Sequence, residues 1–231
     1  MASEVPATTL FWFPYSCYSI KVHTVLALRE EPFRVEAVPY GNRSRLAQLT
    51  GGYVHVPVVL RPGGTVLTDS RDICSALTAD ARGAWLVPEG RAAAAWALAD
   101  WADQVFEDVA FRLASPWLRD RFADQWERAL FVLVKERRWG AGAIDRWREE
   151  EPVLVGRAQE LLAPAARDLA ARPFLLGDRP GLADAALYGQ LAMLRFAAGR
   201  WPAWLPAPIA AHAERMVGAV AERAAWEIAR L

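Results

Sequence analysis

A phenol, a hydroxyl and a thiol follow one another near the start of the chain, at Tyr15, Ser16 and Cys17. An apolar, aromatic run from Leu10 to Phe13 precedes them and ends at Pro14, and a pattern typical of a helix follows. A helix N-terminus has unpaired backbone N–H groups and partial positive charge, so a hydroxyl or thiol there can stabilise an anion. The spacing therefore predicts a thiol or thiolate site between a strand and a helix, with simple capping of the helix by Ser16 as the alternative.

Two further dipeptides could face a ligand. Pro57 interrupts the apolar run Tyr53–Leu60, where a proline inside a strand would remove a hydrogen-bond donor. A cis bond between Val56 and Pro57 would turn the Val56 backbone toward a ligand, whereas an edge strand that tolerates proline is the alternative. Asp69-Ser70 begins a predicted helix, where backbone N–H groups and the Ser70 hydroxyl would hold a carboxylate while Asp69 meets an ammonium.

The elements that must position these side chains alternate between strand and helix. Period-two apolar runs and a Pro-Gly-Gly turn predict strands, and the first helix would bury a single apolar stripe that includes Ile20 and Leu26. The order β-α-β-α-β-β-α indicates a compact α/β domain over residues 1–82. The predicted strands are Leu10–Phe13, Phe33–Val38, Tyr53–Leu60 and Thr65–Thr68, with helices after Tyr15, within Tyr40–Leu49 and from Asp69 to Leu77.

The composition changes near Arg82, and the chain beyond it has no convincing strands. Residues 83–90 indicate a linker, and residues 91–231 indicate an all-α helical-bundle domain. Trp139–Gly142 would interrupt the helices, and Arg146–Glu151 would be a charged, solvated stretch. The predicted helices are Arg91–Leu113, Phe122–Val134, Pro152–Ala171, Leu182–Phe196 and Pro208–Ala229.

The bulk composition argues against several classes of protein. The chain of 231 residues has 27 basic and 27 acidic residues, so no overall charge attracts nucleic acid or anionic lipid. Its cysteines, Cys17 and Cys74, are far apart and form neither a disulfide framework nor a zinc motif. No secretory signal is visible, and no uncharged apolar run reaches the roughly 18 residues that span a bilayer. We therefore expect a cytoplasmic protein that requires no metal and binds neither nucleic acid nor membrane.

Over nearly its whole length, the chain resembles the cytosolic glutathione transferases. The segment Tyr15–Val22 is similar to the loop and first helix of their zeta, tau and omega classes. Counting back from Lys21-Val22 places Ser16 at the position of the family's catalytic Ser or Cys, and Cys17 falls one residue later.

Two more elements carry the resemblance. His55-Val56-Pro57 resembles the family's basic-apolar-Pro element, whose proline is cis. The resemblance implies that the Val56 backbone pairs with the cysteinyl backbone of glutathione and that His55 lies near its glycyl end. Asp69-Ser70 resembles the acidic-Ser pair that holds the γ-glutamyl group.

The resemblance also implies a fold and a reaction. It predicts a thioredoxin-like first domain, a helical second domain, and a homodimer. In the second domain, Gly177–Asp184 resembles a helix-capping motif, with Gly181 where the family has Ser or Thr. Ser16 would donate a hydrogen bond to the glutathione thiolate, which attacks a small hydrophobic electrophile. The residues expected to line the electrophile's site are Phe13, Trp101 and Phe106.

Alternatives remain open for the reactive residue and for the function. If Cys17 were the reactive group, the protein would be a glutathione-dependent thiol reductase that forms a mixed disulfide. Tyr15 is the third candidate, since other classes of the family use a tyrosine near the end of the first strand. A non-enzymatic, transferase-like ligand-binding module is a further hypothesis, because a fold does not dictate a function.

Overall fold

A mixed four-stranded sheet forms the first layer of the computed structural model, which describes residues 8–221. The strands lie in the order β2-β1-β3-β4. β1 is parallel to β2 and antiparallel to β3, which is in turn antiparallel to β4. The strands are β1 Thr8–Trp12, β2 Phe33–Ala37, β3 Val58–Leu60 and β4 Val66–Thr68.

The helices of this first domain cover both faces of the sheet. Because side chains alternate along a strand, Phe11 and Val58 pack with Leu46 of α2, whereas Leu10 and Val59 lie in the larger core with α1 and α3. The helices are α1 Cys17–Leu28, α2 Ser44–Thr50 and α3 Ser70–Ala79. The predicted α/β order is confirmed.

α1 is buried on every side, which corrects the expectation of a single apolar stripe. α3 packs against one side of it and α9 (Leu182–Ala198), the longest buried helix of the second domain, against another. Even Lys21 and His23 are only 2% and 3% exposed. His23 stacks on Trp12, with ring centroids 5.3 Å apart, and burial lowers its pKa to about 4, so its imidazole is neutral.

The predicted strand Tyr53–Leu60 is too long. Only Val58–Leu60 pairs with neighbouring strands, and Pro57 lies just before it. The missing proline N–H therefore removes no hydrogen bond from the sheet.

The second domain is helical, as predicted. A short 3₁₀ turn, Ala84–Leu86, lies in the connection, and a π-helical segment, Ala102–Phe106, joins α4 to α5 without a break. Within residues 8–221, no helix is long and apolar enough to cross a membrane. The helices are α4 Ala92–Trp101, α5 Glu107–Arg121, α6 Gln125–Trp139, α7 Ala143–Glu149, α8 Glu151–Ala171, α9 and α10 Ala207–Ala221.

Two predictions for the second domain need comment. The stretch Arg146–Glu151 is mostly exposed, as predicted for a charged, solvated segment, with Trp147 as the buried exception. It is also helical, since α7 and the start of α8 run through it. Arg148 also donates to the Pro116 carbonyl at 3.1 Å. The last predicted helix, Pro208–Ala229, agrees with α10 up to Ala221, and its remainder lies outside the described residues.

The capping motif before α9 is a buried polar cluster. Asp184 is 1% exposed and accepts hydrogen bonds from the backbone N–H groups of Leu175 and Gly181, each at 2.9 Å. His212 of α10 lies 2.9 Å from the same carboxylate, a partner that sequence reasoning did not find. Gly181 is the N-cap, as the resemblance implies, so Asp184 anchors the start of α9.

Candidate functional site

A cleft of about 470 Å³ opens between the first domain and the π-helical segment that joins α4 to α5. It brings together the residues that the sequence picked out from two separate motifs. The lining residues are Tyr18, Tyr53, His55, Val56, Pro57, Asp69, Ser70, Arg71, Asp100, Asp103 and Gln104.

One wall of the cleft is the loop before β3. The Val56–Pro57 peptide bond is cis, as the sequence predicts. His55 is exposed, and its ring meets the Tyr53 ring edge-on at 5.4 Å. The loop thus presents the His55 imidazole and the Val56 backbone to the same space.

A second wall is the N-terminus of α3. Asp69 caps this helix and accepts a hydrogen bond from the Arg71 N–H at 2.8 Å. Its φ of 63° lies in the left-handed region, which non-glycine residues rarely occupy and which is often found at ligand sites. Ser70 follows as the first helical residue and is 8% exposed. Asp69 also accepts from the Asp72 N–H, so the donors left for a ligand are the Ser70 backbone N–H and the Ser70 hydroxyl. Together with the partial positive charge of the helix, they suit a carboxylate.

Behind Ser70 lies a buried ion pair that the sequence analysis did not find. Lys21 of α1 donates to the Ser70 Oγ at 3.0 Å and to the Asp103 Oδ2 at 2.5 Å. Burial alone would lower the pKa of Lys21, but Cys74 and Asp103 beside it raise that pKa above its ordinary value, so the ammonium stays charged. The signal for this pair in the sequence was a lysine between the apolar residues Ile20 and Val22, since a lysine buried with them needs a partner.

The π-helical segment brings the second domain into the cleft. It carries Asp103 and Gln104, and the Tyr18 hydroxyl donates to the Asp103 carbonyl at 3.0 Å. At the rim, Arg71 of α3 forms an ion pair with Asp100 of α4. Short π-helical segments occur frequently at functional sites, and this one ties α1 and α3 to the second domain.

Ser16 lies at the start of α1, two residues before Tyr18 of the cleft. It is the N-cap, and its Oγ accepts from the Ser19 N–H at 3.3 Å. A hydroxyl that accepts one hydrogen bond still has its own proton to donate. The capping alternative and the chemical role are therefore compatible, because the Ser16 proton can point toward an anion while Oγ caps the helix.

The neighbours of Ser16 are packed differently. Cys17 is 4% exposed, and burial, with Glu107 and Asp103 nearby, raises the pKa of its thiol well above the ordinary value. Tyr15 is 6% exposed, and its ring packs against Phe13 and Phe122. Burial also raises the Tyr15 pKa. Ser16 is the most exposed of the three.

The residues expected around the electrophile take part in two separate ring contacts. Phe13 is 7% exposed and stacks on Tyr15 with ring centroids 5.2 Å apart. Trp101 is half-buried and stacks on Phe106, which has no exposed surface. None of the three lines the cleft described above, and Phe106 has no surface to offer a ligand in this conformation.

Each of the two domains matches a known protein-domain family. The glutathione S-transferase N-terminal domain matches residues 10–85, and the glutathione S-transferase C-terminal domain matches residues 136–215. A search of proteins with curated descriptions gives no match.

Solved structures show the same fold at low sequence identity. A glutathione transferase from Phanerochaete chrysosporium is 17% identical over 94% of this chain and 98% of its own, with a TM-score of 0.77. A glutathione S-transferase from Ceriporiopsis subvermispora, in complex with glutathione, is 19% identical over 95% of this chain and 100% of its own (TM-score 0.74). Glutaredoxin 2 from Salmonella typhimurium, also in complex with glutathione, is 18% identical over 93% of this chain and 95% of its own (TM-score 0.72).

Proposed function

Because the chain belongs to the glutathione S-transferase family, we propose that it binds glutathione in this cleft and activates the thiol for attack on a small hydrophobic electrophile. One observation carries the proposal. His55, Val56 and Pro57 lie with Asp69 and Ser70 around a single cleft, next to the N-terminus of α1. The family resemblance extends the proposal to a homodimer in the cytoplasm.

The γ-glutamyl end of glutathione would lie at the N-terminus of α3. Its carboxylate would accept hydrogen bonds from the backbone N–H and the hydroxyl of Ser70, whose Oγ is already held by Lys21. Its ammonium would meet the carboxylate of Asp69. The cysteinyl backbone would pair with Val56, and the glycyl carboxylate would lie near His55.

The thiol would then reach the start of α1. An ordinary thiol has a pKa near ~8.5, so it is mostly protonated at neutral pH. A hydrogen bond from the Ser16 hydroxyl and the positive end of α1 favour the thiolate and lower that pKa. The released proton passes to solvent. The thiolate sulfur forms a bond to the electrophilic carbon, and the leaving group departs with the electron pair of the bond that breaks.

The structure gives less support to the alternatives. A reductase would need Cys17 as an accessible thiolate, and this thiol is buried with a raised pKa. A binding module without turnover would keep the cleft but show no activated thiol. The pKa of the bound glutathione thiol therefore distinguishes the two hypotheses, because only the transferase should lower it.

Binding is tested by calorimetric titration of glutathione. Ser70→Ala should weaken binding roughly tenfold or more, because a hydrogen bond to a charged group contributes about 1.5–3 kcal/mol. Asp69→Asn keeps an N-cap acceptor while removing the charge, and it should also weaken binding. The control is Ser75→Ala, an exposed serine on the same helix, which should bind as the unaltered chain does. Unchanged affinity in both cleft variants would remove this site assignment.

A further inference from the structure

A second pocket, of about 270 Å³, lies where the C-terminal ends of α5 and α9 meet α10. It shares no residue with the proposed glutathione cleft. Its lining residues are Arg121, Tyr188, Ala192, Arg195, Phe196, Gly199 and Val217.

The pocket wall is mostly apolar. Tyr188, Ala192 and Phe196 are four residues apart along α9 and so lie on one face of that helix. Val217 of α10 closes the opposite side. Such a surface can bury a small apolar group, and the volume lies just below the roughly 300–1,000 Å³ of most small-molecule sites.

Arg121, the last residue of α5, is held in place at the pocket. Its Nε donates to the Ala197 carbonyl at 2.9 Å, and its Cζ lies 5.4 Å from the centre of the Phe196 ring. Gly199 ends α9 with a φ of 73°, and a Cβ there would lie 2.9 Å from an Arg121 Nη atom, so the guanidinium lies close against the end of α9. This arrangement leaves the terminal nitrogens as donors.

Arg195 supplies a second cation. It is exposed and stacks on Trp201 at 4.7 Å, while Glu214 beside that ring already accepts a hydrogen bond from the Trp201 Nε1. Within residues 8–221, neither Arg121 nor Arg195 forms an ion pair with a carboxylate. The negative end of the α9 dipole accounts for two arginines at its C-terminus, but it does not account for an apolar pocket between them.

We infer that this pocket binds a small amphipathic carboxylate. Its ring or branched apolar body packs against Ala192, Phe196 and Val217, and its carboxylate pairs with Arg121 and Arg195. Guanidinium groups suit this role because they hold a carboxylate with parallel hydrogen bonds and are weakly hydrated. The pocket shares no residue with the proposed glutathione cleft, so a carboxylate bound here would leave that cleft free.

Calorimetry with 2-naphthoate tests the inference, using the full chain saturated with S-hexylglutathione so that the proposed glutathione site is filled. Arg195→Gln should weaken naphthoate binding at least fivefold. The matched control is Arg200→Gln, which removes the same charge from an exposed arginine outside the pocket and should leave binding unchanged. Val217→Trp should abolish binding by filling the pocket. The neutral analogue 2-naphthalenemethanol should bind the unaltered chain more weakly and should not respond to Arg195→Gln.

Three results would overturn the inference. The first is no binding of naphthoate to the unaltered chain at millimolar concentration. The second is equal weakening by Arg195→Gln and Arg200→Gln, which would indicate a general effect of charge. The third is binding that disappears when S-hexylglutathione is added, which would place naphthoate in the glutathione cleft.

Discussion

Ser16 caps α1 with its side-chain oxygen and keeps a hydroxyl proton that it can donate. In the proposed mechanism, that proton stabilises a thiolate at the same helix end. Tyr15 and Cys17 on either side are packed into the core, which explains why three chemically capable residues in a row need not compete.

Substitution of Ser16 is the sharpest test of the proposed chemistry. Ser16→Ala should slow conjugation of an aryl halide about tenfold or more and raise the pKa of bound glutathione, measured as thiolate absorbance against pH. Ser16→Gly should do the same while costing α1 only a few tenths of a kcal/mol in capping. Cys17→Ala should be nearly silent, and Tyr15→Phe should have a smaller effect.

A thiol reductase would give the opposite pattern. Cys17→Ala would then be inactive, Ser16→Ala would be mild, and mass spectrometry would show a glutathione adduct on Cys17. If none of the three positions mattered to conjugation or to mixed-disulfide reduction, the binding module would be the better account.

The Lys21–Asp103 pair should matter to both stability and binding. Lys21→Met should lower the free energy of unfolding by about 3–5 kcal/mol, because it leaves Asp103 buried without its partner. Adding Asp103→Leu should recover most of that loss, since apolar side chains replace both charges. Glutathione affinity should stay reduced in the double variant, because the Ser70 Oγ has lost the donor that holds it.

Urea unfolding and calorimetric titration measure these two effects separately. A loss below about 1 kcal/mol for Lys21→Met would mean that the pair behaves like an exposed salt bridge. Full recovery of affinity in the double variant would mean that Lys21 has no part in positioning Ser70.

At the scale of elements, α9 packs closely against the backbone of α1 and of the segment that connects the two domains. Gly189 of α9 faces the N-terminal turn of α1, and a Cβ there would lie 2.5 Å from the Cys17 carbonyl. Gly181 at the start of α9 approaches the connection between the domains just as closely, with a Cβ position 2.6 Å from the Leu86 carbonyl. Small residues at these points let the helix that carries Ser16 and Lys21 lie directly on α9.

Gly181→Ser should therefore destabilise this chain, although Ser is what the family usually has there. A serine N-cap gains only a few tenths of a kcal/mol over glycine, whereas forcing a side chain against the Leu86 backbone typically costs about 1–3 kcal/mol. Gly156→Ala is the control, because no atom lies near that position on α8 and alanine should stabilise the helix by roughly 0.5–1 kcal/mol. Urea midpoints compare the two, and a higher midpoint for Gly181→Ser would contradict the clash.

At the scale of the whole molecule, one core crosses both domains. The same cluster of buried side chains includes Leu10 and Val59 of the sheet, Ile20 of α1 and Leu187 of α9. Such continuity favours unfolding of the described chain in a single transition. The division into residues 1–82, 83–90 and 91–231 stays a prediction about sequence boundaries.

Assembly is the remaining prediction at this scale. We expect a homodimer, as is usual in the family, with the first domain of one subunit packed on the helices of the other. Light scattering at micromolar concentration should give a mass near twice 25.6 kDa. A mass of 25.6 kDa under these conditions would show a monomer, and each site proposed here would then have to be complete within one chain.

The sequence by itself determined the features that depend on neighbours along the chain. Three such features are the order of strands and helices, the capping residue of α1 and the cis bond at Pro57. Each depends on a few consecutive residues and their backbone chemistry, so a short motif is enough to predict it. The two dipeptides of the cleft were found for the same reason.

Only the tertiary structure decided what packs against what. Lys21 and Asp103 are 82 positions apart, so no local pattern pairs them. The burial of Cys17 and Tyr15, the partner of His212 and the pocket beside α9 likewise depend on how the second domain folds over α1. Burial and ion pairing are set by distances across the fold, and these emerge only when the helices are packed together.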